Sequence, residues 1–233
     1  MTHYTILVAG GSGSRMQSDI PKQFLMLHGA PILLHTIRKF TALEDNAIIL
    51  VLPKEQMNYW NELVNTFSLE TQTELAQKVT IVEGGATRFQ SVKNGLHSIQ
   101  NAKSDSIVLV HDGVRPLLSS DLIQRVVNKA KQTKAAAVAV PLKDTPRLVK
   151  EDGTNQSIPR ESIQLMQTPQ VFQYELMKQA FSQEEQAYFT DCASVIETWG
   201  HPISLVLGEY TNIKITTPED LLLAASFLGN RQD

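Results

Sequence analysis

Ala47-Ile48-Ile49-Leu50-Val51-Leu52 is an unbroken apolar run with no polar residue alternating through it. A run of that kind marks a strand buried on both faces of a parallel sheet. Working outward from it, Tyr4-Thr5-Ile6-Leu7-Val8 on one side, and Val79 to Val82, Ile107-Val108-Leu109-Val110 and Ala135 to Val140 on the other, read as further strands. Helical patterns separate them: Ile32 to Phe40, with its apolar side on Ile32, Leu33, Thr36, Ile37 and Phe40, then Glu55 to Phe67, Phe89 to Ile99 and Leu122 to Lys131. Pro31 suits the first turn of the first of these. The repeated strand-then-helix order implies an α/β fold: a mostly parallel sheet, right-handed crossovers and helices on both faces.

Beyond Pro141 the alternation stops. Residues 142–163 are polar and interrupted, and Asp152-Gly153 forms a hairpin-turn signal between Leu148-Val149 and Ile158. This stretch reads as an arm outside the core, either a surface insertion or a subunit contact. Gln167-Thr168-Pro169-Gln170 returns the chain to the body. Helices follow near Tyr174 to Phe181 and Cys192 to Trp199, then a strand, Ile203 to Leu207, and the segment Asn212 to Thr217. Thr217, Pro218, Glu219 and Asp220 make a cap and an acidic first turn for a last helix. The expectation is one domain over residues 1–233 with 142–163 protruding from it.

The chain has 233 residues and a formal net charge of −3, which excludes general nucleic-acid binding; any anionic ligand needs a local cluster of Lys and Arg. No apolar stretch reaches the roughly 18 residues of a membrane span. The opening residues read as strand and not as a charged leader with an apolar segment, so the expected location is the cytoplasm. The single cysteine, Cys192, excludes an internal disulfide framework and a cysteine-rich zinc site, and reads as a packed residue.

Ligands of open α/β sheets bind beyond the carboxyl ends of the strands. Three polar loops fall there: Ala9-Gly10-Gly11-Ser12-Gly13-Ser14-Arg15-Met16, Gly84-Gly85-Ala86-Thr87-Arg88-Phe89-Gln90-Ser91, and His111-Asp112-Gly113-Val114-Arg115-Pro116. In the first, the glycines let backbone N–H groups turn toward one point, a nest suited to anions, although a plain tight turn would use the same residues. Arg15 and Lys22 follow, placing two cations near that point. A dinucleotide G-x-G-x-x-G would need glycine where Met16 stands, and no Walker motif is present. His111 beside Asp112 has no second histidine at ligand spacing and reads as structural. Taken singly, Arg88 and Lys214 are also compatible with solvated surface charges, and Asp112 with a turn cap.

Val8 to Leu25, Gly84 to Val92, Val110 to Pro116, Gln167 to Phe172, Thr190 to Ser194 and Asn212 to Leu221, in this order, resemble the 2-C-methyl-D-erythritol 4-phosphate cytidylyltransferases of the non-mevalonate isoprenoid pathway. The resemblance spans the chain. It implies a Rossmann-like three-layer sandwich of the nucleotidyltransferase type, with a β-arm for homodimerisation, that joins CTP to a sugar-alcohol phosphate and releases pyrophosphate with Mg²⁺ held mainly by the CTP phosphates. The ribitol-5-phosphate cytidylyltransferases share most of the motifs. The Ala-Gly-Gly start and the valine before Arg115 also occur in those relatives, which leaves ribitol 5-phosphate as the alternative acceptor, whereas Gly85 to Val92 and Thr190 to Ser194 look more like the methylerythritol enzymes. A nucleotide-binding module without catalysis is the reading from a different class, and the pairing of Arg15 with Lys22 speaks against it.

By the same resemblance, Ala9, Gly10, Gly11, Ser12 and Gly13 line the triphosphate, while Arg15 and Lys22 stabilise the transition state. Gly84, Gly85, Arg88 and Ser91 lie on the cytidine side. Asp112 faces the ribose or the acceptor with Arg115 beside it, and Lys214 contacts both phosphates. Thr168 and Thr190 complete the acceptor pocket, and Thr145 and Arg160 reach it from a neighbouring subunit's arm. The chain departs from the common pattern at Gly10, where alanine is usual, at Gly113-Val114, where two alanines are, and at Cys192, where an acid is.

Overall fold

The computed structural model describes residues 2–11, 16, 18 and 20–229. Strands β1 (His3–Val8), β4 (Asn46–Leu52), β5 (Val79–Glu83), β6 (Ile107–Asp112), β7 (Ala135–Pro141), β10 (Gln164–Gln173) and β11 (Ser204–Leu207) form a seven-stranded sheet in the order β11-β7-β10-β6-β1-β4-β5. Two short ribbons stand apart: β2 (Met26–Leu27) with β3 (Ala30–Pro31), and β8 (Arg147–Val149) with β9 (Asn155–Ser157). The helices are α1 (Ile32–Thr41), α2 (Lys54–Val64), α3 (Leu69–Lys78), α4 (Arg88–His97), α5 (Ser120–Thr133), α6 (Tyr174–Ala180), α7 (Cys192–Thr198) and α8 (Pro218–Gly229).

The apolar runs form the buried centre of the sheet because successive side chains point to opposite faces. Leu7, Leu50, Leu52 and Leu109 meet α1, α2, α3 and α5 on one face. Their neighbours Ile6, Ile49, Val51, Val108 and Val110 meet α4, α6 and α7 on the other. With both faces covered, no position in these strands can be polar at low cost, which is why they read as continuous apolar runs. A third cluster under α8, including Ile32, Val114 and Ile215, supports the rim of the sheet from below.

Several expectations are corrected. Helix α3 falls where no element was expected: Ser68 caps it by accepting from the Thr71 N–H, but only Leu75 of the helix is buried, so no apolar stripe betrays it. His111 and Asp112 lie in β6, not in the loop after it. Gln167-Thr168-Pro169-Gln170, for which no element was expected, belongs to β10, which runs antiparallel to both β6 and β7, with a register irregularity between Met166 and Gln170. The chain leaves β7 through the arm, without a helical crossover, and comes straight back, so the return strand is antiparallel.

The arm is an exposed hairpin with the expected turn. Val149 pairs with Asn155, so the returning strand lies just ahead of Ile158. Gly153 has φ +81, a conformation open to glycine, and the Asp152 carboxylate accepts the Thr154 N–H. At its root Lys143 Nζ sits 3.8 Å over the ring of Tyr210, whose hydroxyl donates to Pro141 O. Among the described residues no helix is long and apolar enough to cross a membrane.

Candidate active site

Parallel pairing continues past the strand ends and aligns the three polar loops. Ala9 N donates to Val51 O, Gly84 N to Leu52 O and Gly113 N to Val8 O, at 3.0, 2.8 and 2.9 Å. The loops after β1, β5 and β6 are therefore fixed side by side along the carboxyl rim. This rim holds a cavity of about 250 Å³ lined by Ala9, Gly10, Gly11, Lys22, Gly84, Gly85, Arg88, Ser91, Asp112 and Lys214, among others.

One wall is the start of α4. Thr87 caps it by accepting the Gln90 N–H, which places Arg88 in the first turn. Ser91 is buried and folds the glycine loop onto the helix: its hydroxyl accepts the Gly85 N–H at 3.1 Å and lies 3.3 Å from Gly85 O. The fit is close enough to require glycine, since a β-carbon on Gly85 would stand 2.3 Å from that of Gln90. Opposite, Lys22 opens a short 3-10 turn, Lys22–Phe24, and its side chain lies along Gly11, with Cε 3.5 Å from where a β-carbon there would be. Gln23, fully buried, donates to Ala9 O at 2.7 Å and also to Gln56, tying this turn to the β1 loop. Ser12, Gly13 and Arg15 lie outside the described residues.

A second cavity, about 280 Å³, shares Arg88, Asp112 and Lys214 with the first and adds Arg115, Thr168, Gln170, Thr190 and Asp191. The wall between the two is Asp112. Its carboxylate lies 3.4 Å from Arg88 Nη1, 3.2 Å from Arg115 Nε and 3.1 Å from Lys214 Nζ. Burial alone would raise its pKa; the charges of Arg88, Lys214 and Arg115 outweigh burial and hold the carboxyl well below the usual carboxylate range.

His111 supports this wall from beneath. Its Nε2 is 3.1 Å from Arg115 O, which can only accept, so the proton is assigned to Nε2. Nδ1 then accepts from Thr168 Oγ1 at 3.0 Å, and that oxygen accepts the Asp112 N–H at 3.1 Å. Burial lowers the His111 pKa to about 4, so the ring is neutral at physiological pH with both nitrogens occupied. Both ring nitrogens are thus taken by neighbouring groups, as a structural histidine requires.

The second cavity is bounded by α7. Asp191 caps this helix in a reciprocal box with Ser194, and Gln170 clamps the same end, donating to Asp191 and accepting the Cys192 and Ala193 N–H groups. Cys192 is packed as expected, and burial pushes its thiol up to about 12. Thr190 is exposed on the cavity edge. Thr145 and Arg160 are exposed on the arm and line neither cavity; Arg160 donates to Lys143 O and lies 3.7 Å from Glu161.

The structure thus gathers Ala9, Gly10, Gly11, Lys22, Gly84, Gly85, Arg88, Ser91, Asp112, Arg115, Thr168, Thr190 and Lys214 around two adjoining cavities. Residues missed by sequence reasoning are the buried amides Gln23, Gln167 and Asn212. They lie within the stretches that carry the resemblance but bear no charge, and a polar residue gives no local sign that it is buried.

The sequence profile of the 2-C-methyl-D-erythritol 4-phosphate cytidylyltransferases matches residues 4–230. Proteins of that name from Bacteroides thetaiotaomicron and Phocaeicola vulgatus are 44% and 43% identical, over 98% and 96% of this chain and 100% and 98% of theirs. Among solved structures, the 4-diphosphocytidyl-2C-methyl-D-erythritol synthase of Anaerococcus prevotii superposes with a TM-score of 0.79 at 28% identity, covering 98% of both chains. The 2-C-methyl-D-erythritol 4-phosphate cytidylyltransferase of Francisella tularensis does so with 0.77 at 31% identity, over 96% of this chain and 98% of that one. The chain therefore belongs to the 2-C-methyl-D-erythritol 4-phosphate cytidylyltransferase family, and it is a nucleotidyltransferase.

Proposed function

We propose that this protein transfers the cytidylyl group of CTP to 2-C-methyl-D-erythritol 4-phosphate, giving 4-diphosphocytidyl-2-C-methyl-D-erythritol and pyrophosphate for isoprenoid biosynthesis. The observation that carries this reading is the pair of cavities meeting at Asp112, with Arg88, Arg115 and Lys214 gathered on its carboxylate. Two polyanions repel each other, and a shared cationic wall is what would hold both in reach.

In the reaction an oxygen of the acceptor phosphate forms a bond to the α-phosphorus of CTP. The bond from that phosphorus to the oxygen bridging the β-phosphate breaks, and pyrophosphate leaves with the electron pair. A phosphate monoester has its second pKa near 6, so at neutral pH the attacking group is already a dianion and no general base is required. This agrees with His111, neutral, buried and bonded through both nitrogens, having no proton-transfer part. The work left to the protein is positioning and charge stabilisation. Gly10, Gly11, Ser12 and Gly13 cradle the triphosphate, and Lys22 and Arg15 stabilise the charge that builds on the α-phosphate and the leaving group. Gly84, Gly85 and Ser91 shape the nucleoside side. Arg115, Thr168, Thr190 and Lys214 hold the acceptor.

Mg²⁺ enters with the nucleotide in this reading. Asp112 is committed to Arg88, Arg115 and Lys214 and is a poor candidate for metal ligation, whereas phosphate oxygens and water suit Mg²⁺. When bound, the ion offsets triphosphate charge.

The chain works as one domain with residues 142–163 as a dimerisation arm. An isolated two-stranded hairpin is marginally stable, and this one exposes Leu148 and Val149, with Leu165 and Met166 exposed where the chain returns. A second copy packed there would bring Thr145 and Arg160 to its partner's acceptor cavity. The absence of a disulfide and the buried thiol fit a cytoplasmic setting.

The test is CTP consumption with 2-C-methyl-D-erythritol 4-phosphate against ribitol 5-phosphate at equal concentration. A strong preference for the first supports the assignment, and a preference for ribitol overturns the acceptor.

A further inference from the structure

We propose that Asn212 is a positioning residue for cytidylyl transfer, setting where Lys214 stands relative to Asp112. The inference rests on the reading above, in which Lys214 contacts the reacting phosphates.

The segment from Gly208 to Thr217 carries Lys214 but has no regular helix or strand; backbone bonds hold it at Gly208, which donates to Ala139 O, and at Ile215, which donates to Val114 O. Asn212 holds the stretch between them. It is fully buried, and its Nδ2 donates to Thr168 O at 2.9 Å and to Gln167 Oε1 at 3.2 Å. Both partners are acceptors, which settles which amide atom is nitrogen. Its backbone carbonyl takes the Arg115 Nη1–H at 2.8 Å, while Arg115 Nε reaches Asp112. Thr168, the residue Asn212 grips, is the one whose hydroxyl accepts the Asp112 N–H. The Asn212 side chain therefore refers the Lys214 segment to the same Thr168 that holds Asp112, and its backbone carbonyl adds Arg115.

Gln167 braces the same segment a second time, with Nε2 donating to Glu209 O at 2.9 Å. Lys214 is a compact charge on a flexible stem, half-exposed, and its ammonium goes where its backbone allows.

The experiment is a double-mutant cycle on turnover, Asn212→Ser with Lys214→Ala, at a temperature where circular dichroism shows every variant folded. N212S is expected to lose about 10- to 100-fold in kcat, the scale of a misplacement near 1 Å. In the K214A background it should cost no more than about twofold further, because the group it positions is gone. A purely structural role would lower the melting temperature and give losses that multiply. Multiplying losses, or folded N212S with turnover within about twofold of the parent, overturn the proposal. Undiminished turnover in K214A alone overturns instead the role of Lys214 on which it rests. Should N212S fail to fold, Gln167→Met removes the second brace and leaves the Asn212 bond to Thr168. It is expected to lose several-fold in kcat with the same lack of further loss in K214A, and multiplying losses there contradict the proposal equally.

Discussion

The ammonium of Lys214 lies 3.1 Å from the Asp112 carboxylate, from a segment more than a hundred residues further along the chain. Arg88 and Arg115 share that carboxylate. Asp112 holds together three cations that would otherwise repel one another.

Replacing Asp112 by asparagine should therefore not free useful positive charge. It leaves Arg88, Arg115 and Lys214 facing one another without an anion, and breaking a buried pair by removing one partner costs about 3–5 kcal/mol. D112N should melt lower and turn over at least tenfold more slowly, and added CTP should recover part of the lost stability. Thermal melts with and without CTP check this; an unchanged melting temperature contradicts it.

Lys22 faces the other end of the cavity, packed along Gly11. Lys22→Ala should lower turnover by about 10²–10³, the usual cost of one charge-stabilising contact. The loss should appear in kcat more than in the KM for the acceptor. Near-normal turnover in folded protein contradicts the role.

Two departures from the usual family pattern have opposite steric settings. A β-carbon on Gly10 would meet Pro53 at an ordinary 3.5 Å, whereas one on Gly113 would stand 2.8 Å from the Ala9 β-carbon and 3.1 Å from Leu33. Gly10→Ala should change stability by no more than about 0.5 kcal/mol. Gly113→Ala should destabilise by about 1–3 kcal/mol, because the Ala9 β-carbon is fixed to its backbone and the Leu33 side chain is fully buried. Urea titrations of both variants decide the comparison.

His111 sets a pH dependence of known sign. Its pKa is lowered by burial to about 4 from an ordinary 6.5, so the unfolded chain binds the proton more readily. The stabilisation is complete above about pH 6.5 and falls as the pH drops toward 4. Between pH 7 and 5 that is about 2 kcal/mol. Burial also lowers His3 and His35, so His111→Asn should reduce the slope of stability over this range without abolishing it. An unchanged slope means that folding does not lower the pKa of His111.

The arm is tested by complementation. An Arg160→Ala subunit mixed with a Lys22→Ala subunit should regain activity in the heterodimer, up to one working site, if Arg160 serves its neighbour. No recovery, with heterodimers shown to form, places its effect within its own chain.

What could be read in advance follows physical lines. Strands such as Asn46–Leu52 announced themselves because burial on both faces leaves no polar position, and α5 because one face is uniformly apolar, with Leu122, Ile123, Val126, Val127 and Ala130 buried. Helix α3 stayed hidden because it buries a single residue, and β10 because Gln167 and Gln170 spend their polarity on partners distant in sequence. The convergence of Arg88, Asp112, Arg115 and Lys214 was foreseen from the motifs and from the rule that ligands gather at one rim. Asn212 was not, since nothing local distinguishes a buried amide that holds a loop from an exposed one that decorates it.

The central claim is attack by the acceptor phosphate on the α-phosphorus of CTP. It is tested most directly by ³¹P NMR with 2-C-methyl-D-erythritol 4-phosphate carrying ¹⁸O in its phosphate oxygens. The account predicts equimolar cytidine diphosphate ester and pyrophosphate, with ¹⁸O in the new P–O–P bridge and none in the pyrophosphate. Label in the pyrophosphate, or CTP that binds without releasing any, would contradict it.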